Sequence, residues 1–291
     1  MVIVITGPTG TGKTQLSLFL AEKLNGEIIN ADSTQIYKGL KIATNKIKDT
    51  KGIPHHLLDI IPTDTDYSVF DYQKDARKAI EDIIKRNKTP ILVGGTGLYI
   101  KAALYDYKFT NKADNSYEKY DNDKLYQKLL EVDPATSIHK NNRKRVINAL
   151  NYFKANRKPY SEKEKTDKLL YDTIFIGLTA DRTTLYERIN KRVDVMVEEG
   201  LIEEAREIYK SNVRTKAIIT PIGYKELFAY FENKKTLEEC LELIKQKSRN
   251  YAKRQHTWFK NQMNLKWFNV NYQDFTKTEN EILEYIKSRL K

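Results

Sequence analysis

Short apolar segments alternate with segments of helical spacing along most of the chain. Four apolar segments are rich in β-branched residues and end at turn or polar residues: 2–6, 28–31, 91–93 and 173–178. Such segments are typical of strands buried on both faces of a parallel sheet. Three segments between them repeat apolar residues every three or four positions, which predicts helices: 15–23, 70–86 and 184–209. The alternation predicts a doubly wound α/β core that binds its ligands at the carboxyl edge of the strands.

Residues 109–168 interrupt this alternation. The segment begins with polar residues, continues with two helical patterns, and contains no convincing strand. We therefore predict a small helical insertion domain at 109–168 within a core formed by 1–108 and 169–291. A further pattern predicts a long helix over about 237–260 near the end of the chain.

The segment GPTGTGKT joins the first predicted strand to the first predicted helix. It has the spacing of a phosphate-binding loop, and its residues are Gly7, Pro8, Thr9, Gly10, Thr11, Gly12, Lys13 and Thr14. In such a loop the backbone N–H groups converge on an anion, Lys13 adds a positive charge and the Thr14 hydroxyl can bind Mg²⁺. The loop and the alternation together predict a P-loop NTPase-like fold. The spacing leaves open whether the ligand is a nucleotide that is hydrolysed or another diphosphate.

Composition excludes several classes of protein. Apolar residues make up 40% and charged residues 31% of the chain, which is ordinary for a globular protein in water. No apolar stretch reaches the roughly 18 residues of a membrane span, and the first residues lack the pattern of a secretory signal. The single cysteine, Cys240, excludes internal disulfides, fits a reducing cytoplasm and lies in a helical pattern where burial is expected.

The net charge of +12 is concentrated in two windows without acidic residues, 134–161 and 243–273. Each window contains seven Lys or Arg residues, so the rest of the chain carries 12 − 14 = −2. Aromatic residues are interleaved with these cations: Tyr152, Phe153, Tyr160, Tyr251, Trp258 and Phe259. Clustered cations with aromatic side chains are typical of a nucleic-acid surface, although solvated helix faces would show the same residues.

The candidate catalytic groups do not match a nucleotide hydrolase. Such an enzyme usually places a second carboxylate at a strand end to hold Mg²⁺, but the strand at 91–93 runs into GGTG. Asp32 follows the strand at 28–31, where it is either a ligand-facing carboxylate or a helix cap. Thr96 offers a hydroxyl within GGTG, although a tight strand–helix turn would also use these glycines.

Two further groups of residues leave alternatives open. Arg188 and Arg192 lie four positions apart, so they share a helical face and could hold a diphosphate or pair with nearby acids. His55 and His56 precede Asp59 without a further ligand at metal-binding spacing, which favours structural histidines. His256 fits an RNA-facing surface better than a catalytic base.

Six motifs carry a more specific signal. They occur in the order GPTGTGKT, ADSTQIYKGLKIATNK, IPHHLLDI, ILVGGTGLYIKA, TPIGYKE and YAKRQHTWFK. Together they resemble the tRNA dimethylallyltransferase (tRNA isopentenyltransferase) family from residue 4 to about residue 260. In that family the loop holds the diphosphate of dimethylallyl diphosphate rather than ATP. The prenyl group goes to N6 of the adenosine just 3′ of the anticodon.

The resemblance implies a role for each candidate. Because the N6 lone pair is conjugated with the ring, the reaction needs a stabilised leaving group and a base. Lys13, Thr14 with Mg²⁺, the loop amides and Arg192 would carry the diphosphate charge. Asp32 matches the general base and Thr96 the group that positions the reactants. No carboxylate is needed to activate water, in agreement with the missing strand-end acid.

The resemblance also implies tRNA as the partner. The insertion domain would clasp the anticodon stem-loop, and the target base would leave its stack to reach the site. The implied tRNA contacts are Asp32, Ser33, Thr34, Gln35, Asn142, Arg143, Lys144, Arg145, Val146, Thr220, Pro221, Ile222, Gly223, Tyr224, Lys225, Lys253, Arg254, Gln255, His256, Trp258 and Lys260. We expect a cytoplasmic monomer without a membrane partner.

The chain departs from the family pattern in the insertion. Asn148 and Asn151 stand where the family usually has Arg and Glu, and the segment 109–123 is shorter than usual and lacks a Leu-Pro start. Three other functions fit some of the motifs. They are an adenylate isopentenyltransferase acting on AMP, ADP or ATP, a P-loop kinase or RNA-dependent ATPase, and a catalytically silent RNA-binding module. The two basic windows argue against the first of these, since a mononucleotide needs no such surface.

Overall fold

The computed structural model describes residues 1–107, 109, 115–163 and 168–290. The chain forms two compact units, a core unit of residues 1–104 and 169–291 and an insertion unit of residues 105–168. Parts of the predicted insertion, at 110–114 and 164–167, lie outside the described residues. No helix in the described part of the chain is long and apolar enough to cross a membrane.

A six-stranded parallel sheet forms the centre of the core unit. Its strands are β1 (Val2–Thr6), β2 (Gly26–Asn30), β3 (His55–His56), β4 (Thr89–Val93), β5 (Thr173–Thr179) and β6 (Lys266–Asn269). They lie in the order β3-β2-β4-β1-β5-β6, and all strand pairs are parallel. The predicted parallel α/β fold is therefore confirmed, with the four predicted strands at the centre of the sheet. The sequence did not predict the outer strands β3 and β6, since each has at most four residues.

The helices of the chain are α1 (Lys13–Lys23), α2 (Val69–Lys85), α3 (Gly97–Leu104), α4 (Asn122–Val132), α5 (Arg143–Asn156), α6 (Arg182–Glu198), α7 (Leu201–Lys210), α8 (Lys216–Ile219), α9 (Tyr224–Phe231), α10 (Leu237–Gln262) and α11 (Phe275–Leu290). The prediction of a single helix over 184–209 is wrong, because α6 and α7 share this segment. Gly200 separates them with a φ of 99°, which glycine adopts at little cost.

Apolar side chains of β1, β5, α1 and α11 pack together on one face of the sheet. Ile3 and Ile5 contact this cluster from the strands, Leu16 and Leu20 from α1, and Ile282 from α11; all five are fully buried. A second cluster joins α7, α9 and α10 to the loop that follows β2. This second cluster holds the loop at 37–43 in place, and that loop contributes to the site described below.

The insertion unit is helical, and no strand occurs among its described residues. Helices α4 and α5 pack through a small cluster formed by Leu125, Leu129, Val146, Ala149 and Leu150. Both helices begin at side-chain caps: Asp121 accepts from the N–H of Lys124, and Asn142 accepts from the N–H of Arg145.

Candidate active site

Three loops meet at the carboxyl edge of three adjacent strands. The phosphate-binding loop at 7–14 follows β1, the GGTG turn at 94–97 follows β4, and Asp32 lies two residues beyond β2. Because the sheet order is β2-β4-β1, the turn that carries Thr96 lies between the other two loops. Parallel strands bring their carboxyl ends to one edge, so the topology brings together the three segments that the sequence analysis placed there.

The phosphate-binding loop presents free backbone donors. Gly7, Gly10 and Gly12 have φ values of 137°, 87° and 86°, a region that favours glycine. A Cβ at Gly7 would lie 2.3 Å from the Leu178 carbonyl oxygen of β5, so that position also requires glycine for space. Among the described residues, nothing accepts a hydrogen bond from the N–H groups at 11–13. These donors stand at the start of α1, where the helix dipole favours an anion.

Lys13 lies within the loop. Its ammonium donates to the carbonyl oxygens of Gly7 at 3.0 Å and Pro8 at 2.8 Å. Burial lowers the pKa of Lys13 to about 8; the Asp32 carboxylate opposes this shift and the Arg192 guanidinium adds to it. A partly desolvated cation held near a second cation binds an anion favourably.

Arg192 reaches the same loop from α6. Its guanidinium donates to the Thr9 hydroxyl at 2.8 Å, and burial lowers its pKa to about 10. Arg188 does not join it: this exposed side chain stacks on the Tyr272 ring, 4.1 Å from the ring centroid. The Arg188–Arg192 pair considered from the sequence is therefore not a clamp, and only Arg192 faces the site.

Asp32 holds a turn and also faces the site. One oxygen, Oδ1, accepts from both the N–H and the hydroxyl of Thr34, at 2.9 and 2.7 Å. The Thr96 hydroxyl accepts from the N–H of Ser33 at 3.1 Å, which ties the GGTG turn to the residue after Asp32. The helix-cap interpretation of Asp32 is wrong, because its carboxylate closes a turn at 33–36 and no helix begins there. One carboxylate oxygen is enough for that turn.

The glycines of GGTG allow other parts of the chain to approach closely. A Cβ at Gly94 would lie 2.2 Å from the Ala31 backbone, and one at Gly97 would lie 2.0 Å from the Trp258 ring of α10. These are contacts with the protein's own chain, as the alternative interpretation of a tight strand–helix turn expects.

A cavity of about 300 Å³ opens between these loops and helices α6 and α10. Polar residues line it, including Thr9, Asp32 and Arg192. Apolar side chains line it as well: Ile189, Val193, Met196, Pro221, Ile222 and Ile244. The arrangement suits a ligand with a charged end and an apolar end.

The Thr14 hydroxyl suits Mg²⁺ that arrives with a phosphate ligand. Thr14 is exposed in the first turn of α1 and directly follows the loop residues whose N–H groups are free. Within the described residues, no group of three or more His, Cys, Asp or Glu side chains could hold a metal. Mg²⁺ is usually held by one or two protein ligands together with phosphate oxygens and water, so a single hydroxyl here fits it.

Many of the predicted tRNA contacts lie on the surface. The exposed ones are Asn142, Lys144, Arg145, Thr220, Lys225, Lys253, Arg254 and Lys260. Others are half-buried, and they are Ser33, Thr34, Gln35, Arg143, Ile222, His256 and Trp258. Of these two groups, Ser33, Thr34, Thr220, Ile222 and Arg254 line the cavity.

Several predicted RNA contacts are occupied by the protein itself. The side chains of Val146 and Tyr224 are fully buried and do not face an RNA, and Gly223 is buried as well. Arg143 donates to the carbonyl oxygens of Glu118 and Tyr120, each at 2.7 Å. Pro221 is buried in the cavity wall. Spacing alone did not distinguish these residues from their exposed neighbours.

Gln255 is also buried, at 5% exposure, instead of facing an RNA. Its Oε1 accepts from the N–H of Thr9 at 2.8 Å, and its Nε2 donates to the carbonyl oxygen of Gly95 at 3.1 Å. The tRNA contact predicted for its side chain is wrong, because both ends of the amide are used within the protein.

Fewer cations of the second basic window, 243–273, are available to an RNA than its charge suggests. Lys245 pairs with Asp194 at 2.7 Å, Lys247 pairs with the buried Glu226 at 2.9 Å, and Arg249 donates to Asn190. The aromatic Phe259, expected as a stacking platform, is fully buried. The partners come from α6 and α9, so a count of acids along the window could not reveal them.

The structural interpretation of the histidines is confirmed. His55 is hydrogen-bonded to the Ile53 carbonyl oxygen and His56 to Glu27, at 2.8 and 2.7 Å. Cys240 is fully buried, as expected.

Sequence reasoning missed Glu204, which shapes the cavity wall. Its carboxylate accepts from the N–H groups of Lys41, Ile42 and Ala43 and from the hydroxyl of Tyr224 at 2.7 Å. These bonds fasten the loop that contributes Ala43 and Thr44 to the cavity. One acid among three on a helix gives no signal of such a role in the sequence.

Comparison with known proteins gives a consistent result. The family model described as IPP transferase matches residues 35–262. The tRNA dimethylallyltransferase of Anoxybacillus flavithermus is 49% identical, over 99% of this chain and 96% of that protein. The structure of a tRNA isopentenylpyrophosphate transferase from Staphylococcus epidermidis is 41% identical, with a TM-score of 0.76 and 99% of each chain covered. A eukaryotic dimethylallyltransferase acting on tRNA is 32% identical, with a TM-score of 0.84, over 99% of this chain and 79% of that chain.

Proposed function

The chain belongs to the IPP transferase family, and we propose that it transfers the dimethylallyl group of dimethylallyl diphosphate to N6 of a tRNA adenosine, the one just 3′ of the anticodon. One observation carries the proposal. Arg192 and Asp32 line a cavity that also has apolar side chains in its wall, and Lys13 lies in the adjacent loop within electrostatic reach of both. A prenyl diphosphate needs cations for its diphosphate and an apolar surface for its five-carbon group, and the cavity and its loop offer both.

The donor binds with its diphosphate on the loop. Lys13, Arg192 and the free N–H groups at 11–13 neutralise the charge that develops as the bond from the allylic carbon to oxygen breaks. The five-carbon group lies against the apolar wall formed by Ile189, Val193 and Met196. Bound Mg²⁺, held by Thr14 and the diphosphate oxygens, would supply further positive charge to the leaving group.

The acceptor half of the reaction uses Asp32 and Thr96. N6 attacks the allylic carbon, the carbon–oxygen bond breaks and diphosphate leaves, and the Asp32 carboxylate takes the N6 proton. Oδ1 of Asp32 is held by Thr34, which fixes the orientation of the carboxylate toward the cavity. Thr96 is anchored to Ser33 and orients the reacting groups.

We propose the anticodon stem-loop of tRNA as the acceptor, bound in part by the insertion unit. The support is the set of exposed cations at the start of α5, Lys144 and Arg145, and on α10, Lys253 and Lys260. A stem-loop presents phosphates to such cations and a splayed base to the cavity. We propose that the protein acts as a monomer in the cytoplasm, where unmodified tRNA is available.

The test is a transfer assay with purified protein, Mg²⁺ and labelled dimethylallyl diphosphate. Unmodified bulk tRNA, AMP and ATP are offered as separate acceptors. Label in tRNA alone supports the proposal, and label in AMP or ATP supports an adenylate isopentenyltransferase instead. Steady ATP turnover without label transfer would contradict the proposal and favour an ATPase.

A further inference from the structure

We propose that Gln255 is a positioning residue that sets the diphosphate loop against the turn that carries Thr96. The inference rests on the proposed function and concerns how the donor and acceptor halves of that site are aligned. Gln255 bonds Thr9 of the first loop and Gly95 of the second, at 2.8 and 3.1 Å. It lies on α10, 246 positions from Thr9 and 160 from Gly95.

A path of hydrogen bonds crosses the site through Gln255. On the donor side, the Thr9 hydroxyl accepts from Arg192 at 2.8 Å. On the acceptor side, Gly95 is followed by Thr96, whose hydroxyl accepts from the N–H of Ser33 at 3.1 Å. Ser33 in turn follows Asp32. Gln255 is thus a side chain through which the diphosphate-binding group Arg192 is connected to the segment that carries the proposed base.

The packing leaves the amide little freedom. The Gln255 side chain is 5% exposed, and a Cβ at Gly95 would lie 2.1 Å from its Nε2. Trp258, three positions further along α10, packs on Gly97 in the same way: a Cβ at Gly97 would lie 2.0 Å from the Trp258 ring. Hydrogen bonds therefore hold the Gln255 side chain against both loops, and Gly95 leaves the space that its amide occupies.

Alignment matters here because the reaction joins two bound substrates. The donor carbon is placed by the diphosphate loop, and the base is placed by the strand β2 and the GGTG turn. An error of about 1 Å in such an arrangement can reduce a rate by roughly 10²-fold. Loss of Gln255 leaves the binding groups of each half in place, so it should lower the rate of transfer and not the affinity for either substrate.

The experiment measures the single-turnover rate constant with saturating enzyme and tRNA. Gln255→Met keeps the volume and removes both hydrogen bonds, and Gln255→Glu keeps the acceptor for Thr9 but faces the Gly95 carbonyl with another oxygen. We expect each variant to lose about 10²-fold in rate constant. Dissociation constants for tRNA and for an unreactive thiolo analogue of dimethylallyl diphosphate should be unchanged. Gln246→Met, at an exposed position of α10, is the matched control and should retain the wild-type rate.

A second set of variants tests the same contact from the other side. Gly95→Ala should displace the amide and lower the rate constant, since the added Cβ meets Nε2. In a Gln255→Ala background this clash is gone, so adding Gly95→Ala should cost nothing more. If the double variant instead loses the product of the two single-variant losses in rate constant, the proposed contact is contradicted.

The outcomes separate this inference from the proposed function. If wild-type protein transfers no label to tRNA, the proposed function fails. If wild-type protein does transfer label and Gln255→Met keeps the wild-type rate constant, the function stands and the positioning role is wrong. A purely structural role would lower the melting temperature and the folded fraction while leaving the rate constant unchanged, and this result would also overturn the inference.

Discussion

The guanidinium of Arg192 donates a 2.8 Å hydrogen bond to the hydroxyl of Thr9, 183 positions earlier in the chain. This bond brings a cation from α6 to the loop that already contains Lys13. Burial lowers the pKa of both groups, to about 10 for Arg192 and about 8 for Lys13. A bound diphosphate would favour the charged form of each, so the two cations make the site selective for an anion.

The pKa of Lys13 predicts how donor binding depends on pH. As pH rises through about 8, the free site loses the ammonium charge. Because a diphosphate favours the charged form, binding above this pH takes up a proton, and affinity should fall by roughly tenfold per pH unit. Calorimetry with the unreactive donor analogue, from about pH 7 to about pH 9, checks the slope below the pKa of about 10 at Arg192. Lys13→Arg should remove this dependence, since arginine stays charged; equal slopes for the two proteins would contradict the assignment.

Arg192→Ala should weaken donor binding. The variant removes a charged donor to the diphosphate, a loss of about 1.5–3 kcal/mol or about tenfold to a hundredfold in affinity. The matched control is Lys191→Ala, an exposed neighbour on the same helix that should bind the donor as wild type does. Equal affinities for the Arg192 and Lys191 variants would show that Arg192 only fastens the loop.

Asp32→Asn separates the two roles of this side chain. The asparagine Oδ1 can still accept from Thr34, so the turn and the affinity for tRNA should be retained. Transfer should slow by about 10²–10⁴-fold, on the scale of a lost general base. Asp49→Asn is the control, since Asp49 holds a surface turn by accepting from the N–H of Lys51 at 2.8 Å. If both variants turn over like wild type, the base lies elsewhere.

The sequence predicted the parts of this site that depend on local pattern. The loop at 7–14, Asp32 after a strand and Thr96 in GGTG follow from spacing and strand ends, and sheet topology brings them together. Gln255 and Lys247 show the limit of such reasoning. Each was counted toward an RNA surface because of its neighbours along α10, yet each has its partner on another element. Side-chain partners distant in sequence are set by tertiary packing, which periodicity does not encode.

The same limit applies to secondary structure. Strands β3 and β6 are too short for a pattern to stand out, whereas the four central strands are apolar on both faces and were predicted within one or two residues at most ends. The helical pattern from 184 to 209 continued across Gly200 because apolar spacing is kept on both sides of the break. The apolar pattern does not predict the backbone conformation of Gly200, whose φ is positive.

Glu27 should make the free energy of unfolding of the core unit depend on pH in the acidic range. Its side chain is 2% exposed and accepts from Arg86, Lys88 and His56, each at 2.7 Å. The hydrogen bond from Arg86 is the main reason that the pKa of Glu27 lies well below its usual range. The folded pKa is thus below the unfolded one. The stabilisation is therefore present above the unfolded pKa of about 4.3 and is lost as pH falls further.

Glu27→Gln should destabilise the protein by about 1–3 kcal/mol at neutral pH, less than for a fully buried pair because Arg86 and Lys88 can reach water. The difference from wild type should shrink as pH falls below about 4, since Glu27 of the unfolded wild-type chain then takes up a proton that the folded chain does not bind. Urea unfolding at several pH values measures this. Glu22→Gln, on the exposed face of α1, should change stability little at any pH. A Glu27 difference that stays constant with pH would contradict the charged network.

Lys253 and Lys260 are the cations of α10 through which we expect the RNA backbone to bind. Both are exposed, and neither has an acidic partner among the described residues, unlike Lys245 and Lys247. Replacing both with alanine should weaken tRNA binding. It should also reduce the slope of log affinity against log salt by about 1.4, or about 0.7 for each phosphate contact to single-stranded RNA.

The control for that measurement is the double variant Lys277→Ala and Lys287→Ala. These lysines lie on α11 and each has an acid three positions before it, at 3.6 and 2.9 Å. Both double variants lose the same net charge, so a general effect of charge on RNA binding would change the two slopes equally. A lower slope for the α10 pair alone means that these two lysines contact phosphates and release their counterions. Equal slopes would mean that this face of α10 meets solvent and not RNA.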